Sequence, residues 1–129
     1  MSDIKYISIS FKRRRVMIHK STLRALELPQ NIRFLLNKSE KKVAVQCCEA
    51  IDRDNFDVPL LSANETFEIT SISFVQVLYA LGEWDFDKSY RISGTFFSSN
   101  RLVEFDLADA TAISDEEFVD EEVVGTIQL

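Results

Sequence analysis

Residues 16–28 read VMIHKSTLRALEL, and this stretch decides the fold. Its first three residues are apolar, which is typical of a short strand. Ser21 or Thr22 can then cap a helix whose apolar side chains continue to Leu28. Pro29 ends that helix, because proline supplies no backbone N–H and biases the preceding residue away from helical angles. The stretch therefore predicts a strand followed by a helix of about two turns.

The segments on either side of this stretch alternate as strands do. Residues 4–11 carry apolar side chains on a period near two, and we expect a strand that leads into the basic run Lys12–Arg15. Residues 32–36 and 43–47 alternate on the two sides of the polar turn 37–41, which predicts a β-hairpin. The first part of the chain is therefore a β-α-β-β unit.

The same order of elements recurs later in the chain. Residues 67–69 are extended, and Ser71 or Ser73 can cap a helix that ends at Gly82. Residues 90–107 then alternate around a Ser-Ser-Asn turn, which predicts a second hairpin. The recurrence predicts two units of one type with a related core.

The two units align with small changes of offset. Residues 16–18 align with 67–69 at an offset of 51, and Ile32 aligns with Tyr90 at an offset of 58. We therefore predict an α+β fold in which internally duplicated β-α-β-β units form one compact domain. The predicted parts of this single domain, 1–129, are a basic unit at 1–48, a connection at 49–66, a second unit at 67–108 and an acidic C-terminal segment at 109–129.

Charge is divided unequally along the chain. Up to Gln46 there are eleven Lys and Arg against three acids, a net charge of +8, whereas the rest has four against eighteen, a net charge of −14. This asymmetry predicts a bipolar surface, of which one face attracts polyanions. Two alternatives need no polyanion: the basic half can dock on the acidic half, or the charges can simply be solvated.

The composition also limits location and chemistry. No leader-like segment and no apolar run long enough to cross a membrane is present, so we expect a cytoplasmic protein with Cys47 and Cys48 reduced. His19 is the sole histidine, which excludes a multi-histidine metal site. The acidic segment that starts at Ser114 can either cap a helix N-terminus or stay flexible, and residues 123–129 are expected to form a closing strand. We predict neither an enzyme nor a metal or cofactor site.

A pattern of apolar and basic positions runs through the first unit: Val16, Ile18, Lys20, Leu23, Ala25, Leu26, Leu28, Ile32, Phe34 and Lys42–Val45. Over residues 13–46 it resembles the looped-hinge-helix motif of AbrB-like transcription regulators. Members of that family are dimers whose β-α-β-β chains interleave into a swapped-hairpin barrel, with basic side chains beside the hinge on DNA. The resemblance implies a swapped-hairpin-like pseudo-dimer within one chain. A saddle like that of TATA-binding-like proteins has a similar element order and is the alternative fold.

The resemblance also implies a set of DNA-facing residues: Arg13, Arg14, Arg15, Lys20 and Arg24. On an extended segment side chains alternate, so only Arg13 and Arg15 are expected to share a face. We expect a small intracellular regulator whose basic unit contacts the phosphates of double-stranded DNA. The alternative is a non-enzymatic protein-interaction module whose bipolar charge drives homo-oligomerisation or docking to an acidic or basic protein. No membrane partner is expected.

Overall fold

Strands dominate the computed structural model, which describes residues 4–52, 55–58, 66–119 and 123–128. Three α-helices lie among them: α1 Lys20–Ala25, α2 Ile72–Gly82 and α3 Asp115–Val119. A single 3₁₀ turn, Leu107–Asp109, follows the eighth strand. The strands are β1 Lys5–Ser10, β2 Arg15–Ile18, β3 Asn31–Asn37, β4 Lys42–Cys47, β5 Phe56–Asp57, β6 Thr66–Thr70, β7 Ser89–Phe97, β8 Leu102–Asp106, β9 Thr111–Ile113 and β10 Val123–Gln128.

All ten strands join one curled sheet, an antiparallel half-barrel. The order across it is β10-β6-β2-β1-β7-β8-β4-β3-β5, and the short β9 pairs with β7 beside this path. Every pairing is antiparallel except that of β10 with β6. The prediction of a mixed fold, rich in strands and with few helices, is confirmed.

The inner face of the sheet carries the apolar core. Because side chains alternate along a strand, every second residue points inward, where α1 and α2 cover it. Burying each large aliphatic side chain contributes about 1.5–3 kcal/mol to folding. The buried core includes Ile7, Ile9, Val16, Ile18, Val43, Val45, Phe67, Ile69, Ile92, Val103 and Phe105 from the strands, with Leu23, Leu26, Val75, Leu78 and Tyr79 from the helical segments.

Helix α1 begins one to three residues before the expected caps. Its N-cap is His19, whose side chain makes no capping hydrogen bond. Ser21 and Thr22 instead hold the helix to β1: the Tyr6 N–H donates to Ser21 Oγ at 3.2 Å, and Thr22 Oγ1 donates to the Tyr6 carbonyl at 2.8 Å. The expected cap is therefore wrong, because both hydroxyls are used to fix the helix on the sheet.

The other two helices begin where the sequence predicts. Ser71 caps α2, and its Oγ accepts from the Phe74 N–H at 3.2 Å. Ser114 precedes α3 and forms a reciprocal capping box: its Oγ accepts from the Glu117 N–H, and its own N–H donates to Glu117 Oε1, both at 3.1 Å. The predicted cap of α2 is confirmed, and of the two alternatives at Ser114 the structure has the helix cap.

Both predicted hairpins are present, β3 with β4 and β7 with β8. The predicted closing strand is β10. The interval between β5 and β6 and the acidic residues 120–122 lie outside the described residues, and the predicted connection is described only in part. One hairpin was not predicted: β1 turns back onto β2, with Ile7 opposite Ile18.

The two halves of the sequence are interleaved in the sheet. Strands β1 and β2 lie between β6 and β7, and β4 lies beside β8. Among the described residues, three ion pairs cross between the halves: Arg15 with Glu68 at 2.8 Å, Lys42 with Glu104 at 3.5 Å and Lys41 with Glu83 at 3.7 Å. Cations of the basic half thus contact acids of the acidic half.

The strand pairs between the halves have a reciprocal register. In β2 and β6, Val16 lies opposite Ile69 and Ile18 opposite Phe67. In β4 and β8, the Cys47 N–H donates to the Arg101 carbonyl and the Leu107 N–H donates to the Lys41 carbonyl, both at 3.0 Å. Lys41 and Arg101 also share a left-handed backbone, with φ of 57° and 50°. The two hairpins therefore superpose locally at an offset of 60 residues, two more than the sequence alignment indicated.

Candidate functional site

The most exposed group of cations lies at the tip of the β1–β2 hairpin. Lys12, Arg13 and Arg14, here called the basic turn, are all exposed. The Arg14 N–H closes the turn on the Phe11 carbonyl at 3.1 Å, and Arg14 has a left-handed φ of 57°. The expectation that Arg13 and Arg15 share one face, with Arg14 on the other, holds for an extended segment unless it bends, and here the chain turns.

The basic turn is supported from below. The Phe11 N–H donates to the Tyr79 hydroxyl at 3.0 Å, and the Ser71 N–H donates to the Arg14 carbonyl at 2.9 Å. The Tyr79 hydroxyl in turn donates to the Lys88 carbonyl. Burial raises the pKa of Tyr79 to about 12, so its hydroxyl stays protonated at physiological pH. The backbone that presents the three cations is thereby fixed by buried groups.

Arg15, the next residue, is held within the protein. Its guanidinium pairs at 2.8 Å with Glu68 on β6, whose side chain is 5% exposed. Arg15 Nε is buried without a hydrogen-bond partner among the described residues. Since a buried carboxylate needs a cation beside it, this arginine neutralises Glu68 and stabilises the β2–β6 pairing. Its guanidinium is therefore engaged by Glu68 and is less available to bind an external phosphate.

Lys20 and Arg24 lie away from the basic turn. They are one helical turn apart on α1, both half-buried, and both make interactions within the protein. Strand β2 separates them from the turn by about 13 Å of extended chain. The five residues implied by the resemblance therefore fall into three places: Arg13 and Arg14 at the tip, Arg15 in an ion pair, and Lys20 and Arg24 on the helix.

The acidic helix α3 lies next to the basic turn. The Arg13 guanidinium sits over the Phe118 ring, 5.8 Å from its centroid. Phe118 is 1% exposed and anchors the helix on the outer face of the sheet. Asp115, Glu116 and Glu117 occupy the first turn of α3. One of the three cations thus already has an aromatic partner on an acidic helix.

A buried polar layer lies beneath α3, on the outer face of β1, β2, β6 and β7. Ser8 and His19 are both buried, with Ser8 Oγ 2.7 Å from His19 Nε2. Arg91 Nε donates to Ser8 Oγ at 3.3 Å, and its guanidinium lies 5.7 Å from the centroid of the Tyr6 ring. The sequence contains no local motif for this layer, because its members come from separate parts of the chain.

The thiols and acids show no arrangement for metal chemistry. Cys47 and Cys48 are free, as predicted, and burial raises the pKa of both thiols. Within the described ranges, no three His, Cys, Asp or Glu side chains are grouped to hold a metal ion. Both cysteines are half-buried, and the raised pKa favours the protonated thiol over the reactive thiolate.

Comparison with known proteins gives no relative. No family model matches the sequence, and no curated protein and no solved structure matches it. Among the helices in the described part of the chain, none is long and apolar enough to span a membrane. The function is therefore argued from the geometry of the chain itself.

Proposed function

We propose that this protein is a small cytoplasmic DNA-binding regulator that contacts the phosphate backbone through its basic turn. The observation that carries the proposal is the basic turn itself, in which Lys12, Arg13 and Arg14 project from a hairpin tip. A narrow tip can enter a groove or lie along one strand of a duplex. The contact is with phosphates, so it favours DNA over neutral partners but reads little sequence.

The mechanism is displacement of counterions by side chains on a fixed backbone. Each Lys or Arg that neutralises a phosphate releases condensed cations from the duplex, and this release favours binding at low salt. Because Tyr79 and Ser71 hold the turn through hydrogen bonds, little backbone entropy is lost on contact. The rigid support makes three cations more effective than three on a mobile terminus.

The negative charge on the rest of the protein surface orients the protein on DNA. The whole chain has a formal net charge of −6, so most of it is repelled by DNA. The tip of β1–β2 has three consecutive exposed cations, whereas the described turn of β3–β4 has two, Lys38 and Lys41, with Glu40 between them. Repulsion elsewhere therefore favours an approach with the basic turn foremost.

We also propose that the fold is an internally duplicated pseudo-dimer. The two matched hairpins, β3 with β4 and β7 with β8, support this, as does the repeat of left-handed turn residues at Lys41 and Arg101. Helix α2 has eleven residues against six in α1, which accounts for most of the change of offset from 51 to 60. In this proposal the swapped-hairpin arrangement of the AbrB-like family is preferred to the saddle.

Salt-titrated binding to a labelled DNA duplex tests the proposed contact. The variant is the double substitution Arg13→Ala and Arg14→Ala. The matched control is Lys38→Ala with Arg101→Ala, which removes the same charge from two exposed turn residues elsewhere. Each pair also includes one left-handed arginine, so the backbone cost is similar.

We expect the parent and the control to bind with the same dependence of log affinity on log salt. In the basic-turn variant the slope should fall by about two, because two phosphate contacts are lost. The proposal fails if the parent binds no duplex at low salt. It also fails if the control loses as much affinity as the basic-turn variant, because general charge would then explain the binding.

A protein-interaction function is the second candidate, and the edge of the sheet favours it. Strand β5 pairs only with Asn31 and Ile32, so among the described strands the remainder of β3 has no outer neighbour. Leu35, on that remainder, is 37% exposed. An exposed strand edge can pair with a second copy. Sedimentation of the parent and of Leu35→Lys tests this: concentration-dependent dimers that the lysine abolishes support it, and a monomer at all concentrations refutes it.

A further inference from the structure

A cleft of about 350 Å³ opens beside the buried polar layer. Its floor is the outer face of β1 and β7, where Tyr6 lies opposite Ser93 in register. Its walls come from the 3₁₀ turn, β9 and α3, which contribute Asp109, Thr111 and Glu117. This volume lies within the range typical of small-molecule sites, which is about 300–1,000 Å³. Five separate elements thus converge on one concave surface.

One oriented cation lines the cleft. Arg91 is held by three contacts: Nε donates to Ser8 Oγ, Nη2 donates to the Glu117 carbonyl at 3.1 Å, and the guanidinium lies over the Tyr6 ring. A guanidinium has five N–H donors, and within the described part of the chain the other three have no acceptor. A planar carboxylate suits such a fixed group, because it can accept two parallel hydrogen bonds.

Two carboxylates also line the cleft. Asp109 is exposed, and Glu117 has one oxygen, Oε1, accepting from the Ser114 N–H in the capping box. With one arginine and two acids, the lining disfavours a ligand that carries only negative charge. It suits a ligand with an anion for Arg91 and a cation for Asp109 and Glu117.

Apolar side chains complete the lining. Ile4 is 59% exposed and Ile113 is half-buried, and both border the cleft. The aliphatic side chain of a ligand can pack against these two isoleucines, which removes apolar surface from water and favours binding. The lining therefore offers separate places for a carboxylate, an ammonium and an apolar side chain.

We infer that this cleft binds a free α-amino acid with an apolar side chain, its carboxylate on Arg91 and its ammonium between Asp109 and Glu117. The inference does not depend on DNA binding, since none of the lining residues belongs to the basic turn. If both sites operate, the amino acid is an effector of the regulator, because Glu117 and Phe118 are neighbours on α3.

Titration of the whole protein with L-leucine tests the inference by calorimetry and by amide chemical shifts. Two analogues of L-leucine measure the contribution of each charged group separately: 4-methylpentanoate lacks the ammonium, and 3-methylbutylamine lacks the carboxylate. We expect saturable binding of L-leucine at millimolar concentration or below, with shifts centred on Tyr6, Arg91 and Thr111. Each analogue should bind at least tenfold more weakly, since each forgoes one charged contact.

The matched variants are Asp109→Asn and Asp115→Asn. Both acids are exposed, but only Asp109 lines the cleft, so only its variant should lose L-leucine affinity, by about tenfold, while both retain the melting temperature of the parent. The inference is refuted if L-leucine causes no localised shifts. Equal affinity for 3-methylbutylamine would also refute it, because a plain cation site would then suffice.

Discussion

Replacing Arg15 by methionine should destabilise the fold far more than replacing its neighbour Arg14. Arg15→Met keeps an apolar stem but leaves the Glu68 carboxylate, 5% exposed, without its cation. Breaking a fully buried ion pair costs about 3–5 kcal/mol. The Arg15 side chain is 43% exposed and its Nε has no described partner, so water screens the pair and part of the arginine's desolvation cost is recovered. We expect a loss of about 2 kcal/mol.

The reverse substitution should cost less. In Glu68→Met the unpaired group is Arg15, which can turn toward water, and we expect a loss of about 1 kcal/mol. The double variant should recover stability to within about 1 kcal/mol of the parent, because no buried charge remains. Arg14→Met, at an exposed position, should change stability by less than about 0.5 kcal/mol.

Urea unfolding of the parent and the four variants measures their five free energies of unfolding, with thermal melting as a second probe. For a chain of this length, about 2 kcal/mol corresponds to a fall in melting temperature of about 6–10 °C. Equal losses for Arg14→Met and Arg15→Met would refute the ion-pair argument. So would a double variant whose loss is the sum of the two single losses, since the pair would then carry no coupling.

Three further predictions concern the interior. Gly94→Ala should lower stability by about 1–3 kcal/mol, because the new Cβ would lie 2.6 Å from the Phe105 ring, whereas Thr95→Ala should not; urea unfolding distinguishes them. The raised pKa of Tyr79, about 12, means that the unfolded chain loses this proton first as pH rises, so this residue's stabilisation is complete below about pH 10 and is lost toward pH 12. Tyr79→Phe should flatten that part of the stability profile and lower stability near neutrality by about 2 kcal/mol. The raised pKa of Cys47 predicts slower labelling by a disulfide reagent at pH 8 than for a free thiol, until urea exposes it.

Regular alternation made much of the sheet predictable. Residues 31–47 and 89–106 carry clear period-two patterns with polar turns between them, and both hairpins were predicted. The β1–β2 hairpin was not, because its turn contains no Gly, Pro or Asn. Arg14 adopts a left-handed conformation there that is unusual for its residue type. The run of basic residues was interpreted as part of an extended segment, so the turn at this position was not predicted.

The site was less predictable than the fold. Arg13 and Arg14 were identified because consecutive cations are visible in any sequence, and both are exposed. The buried partner of Arg15 depends on the pairing of β2 with β6, which no local pattern reveals. The cleft is formed by five separate elements, so its residues become neighbours only when the sheet is complete.

The interleaved sheet also has a consequence for how the chain folds. Each of β1, β2 and β4 pairs with a strand from the other half, so neither half can complete the sheet alone. Pairings between segments so distant in sequence slow folding. During synthesis, part of the apolar surface of the first half stays exposed until the second half has been made. The same arrangement makes the protein suited to reassembly from two fragments: separate chains cut between β5 and β6 should each remain unstructured and recover the native sheet on mixing.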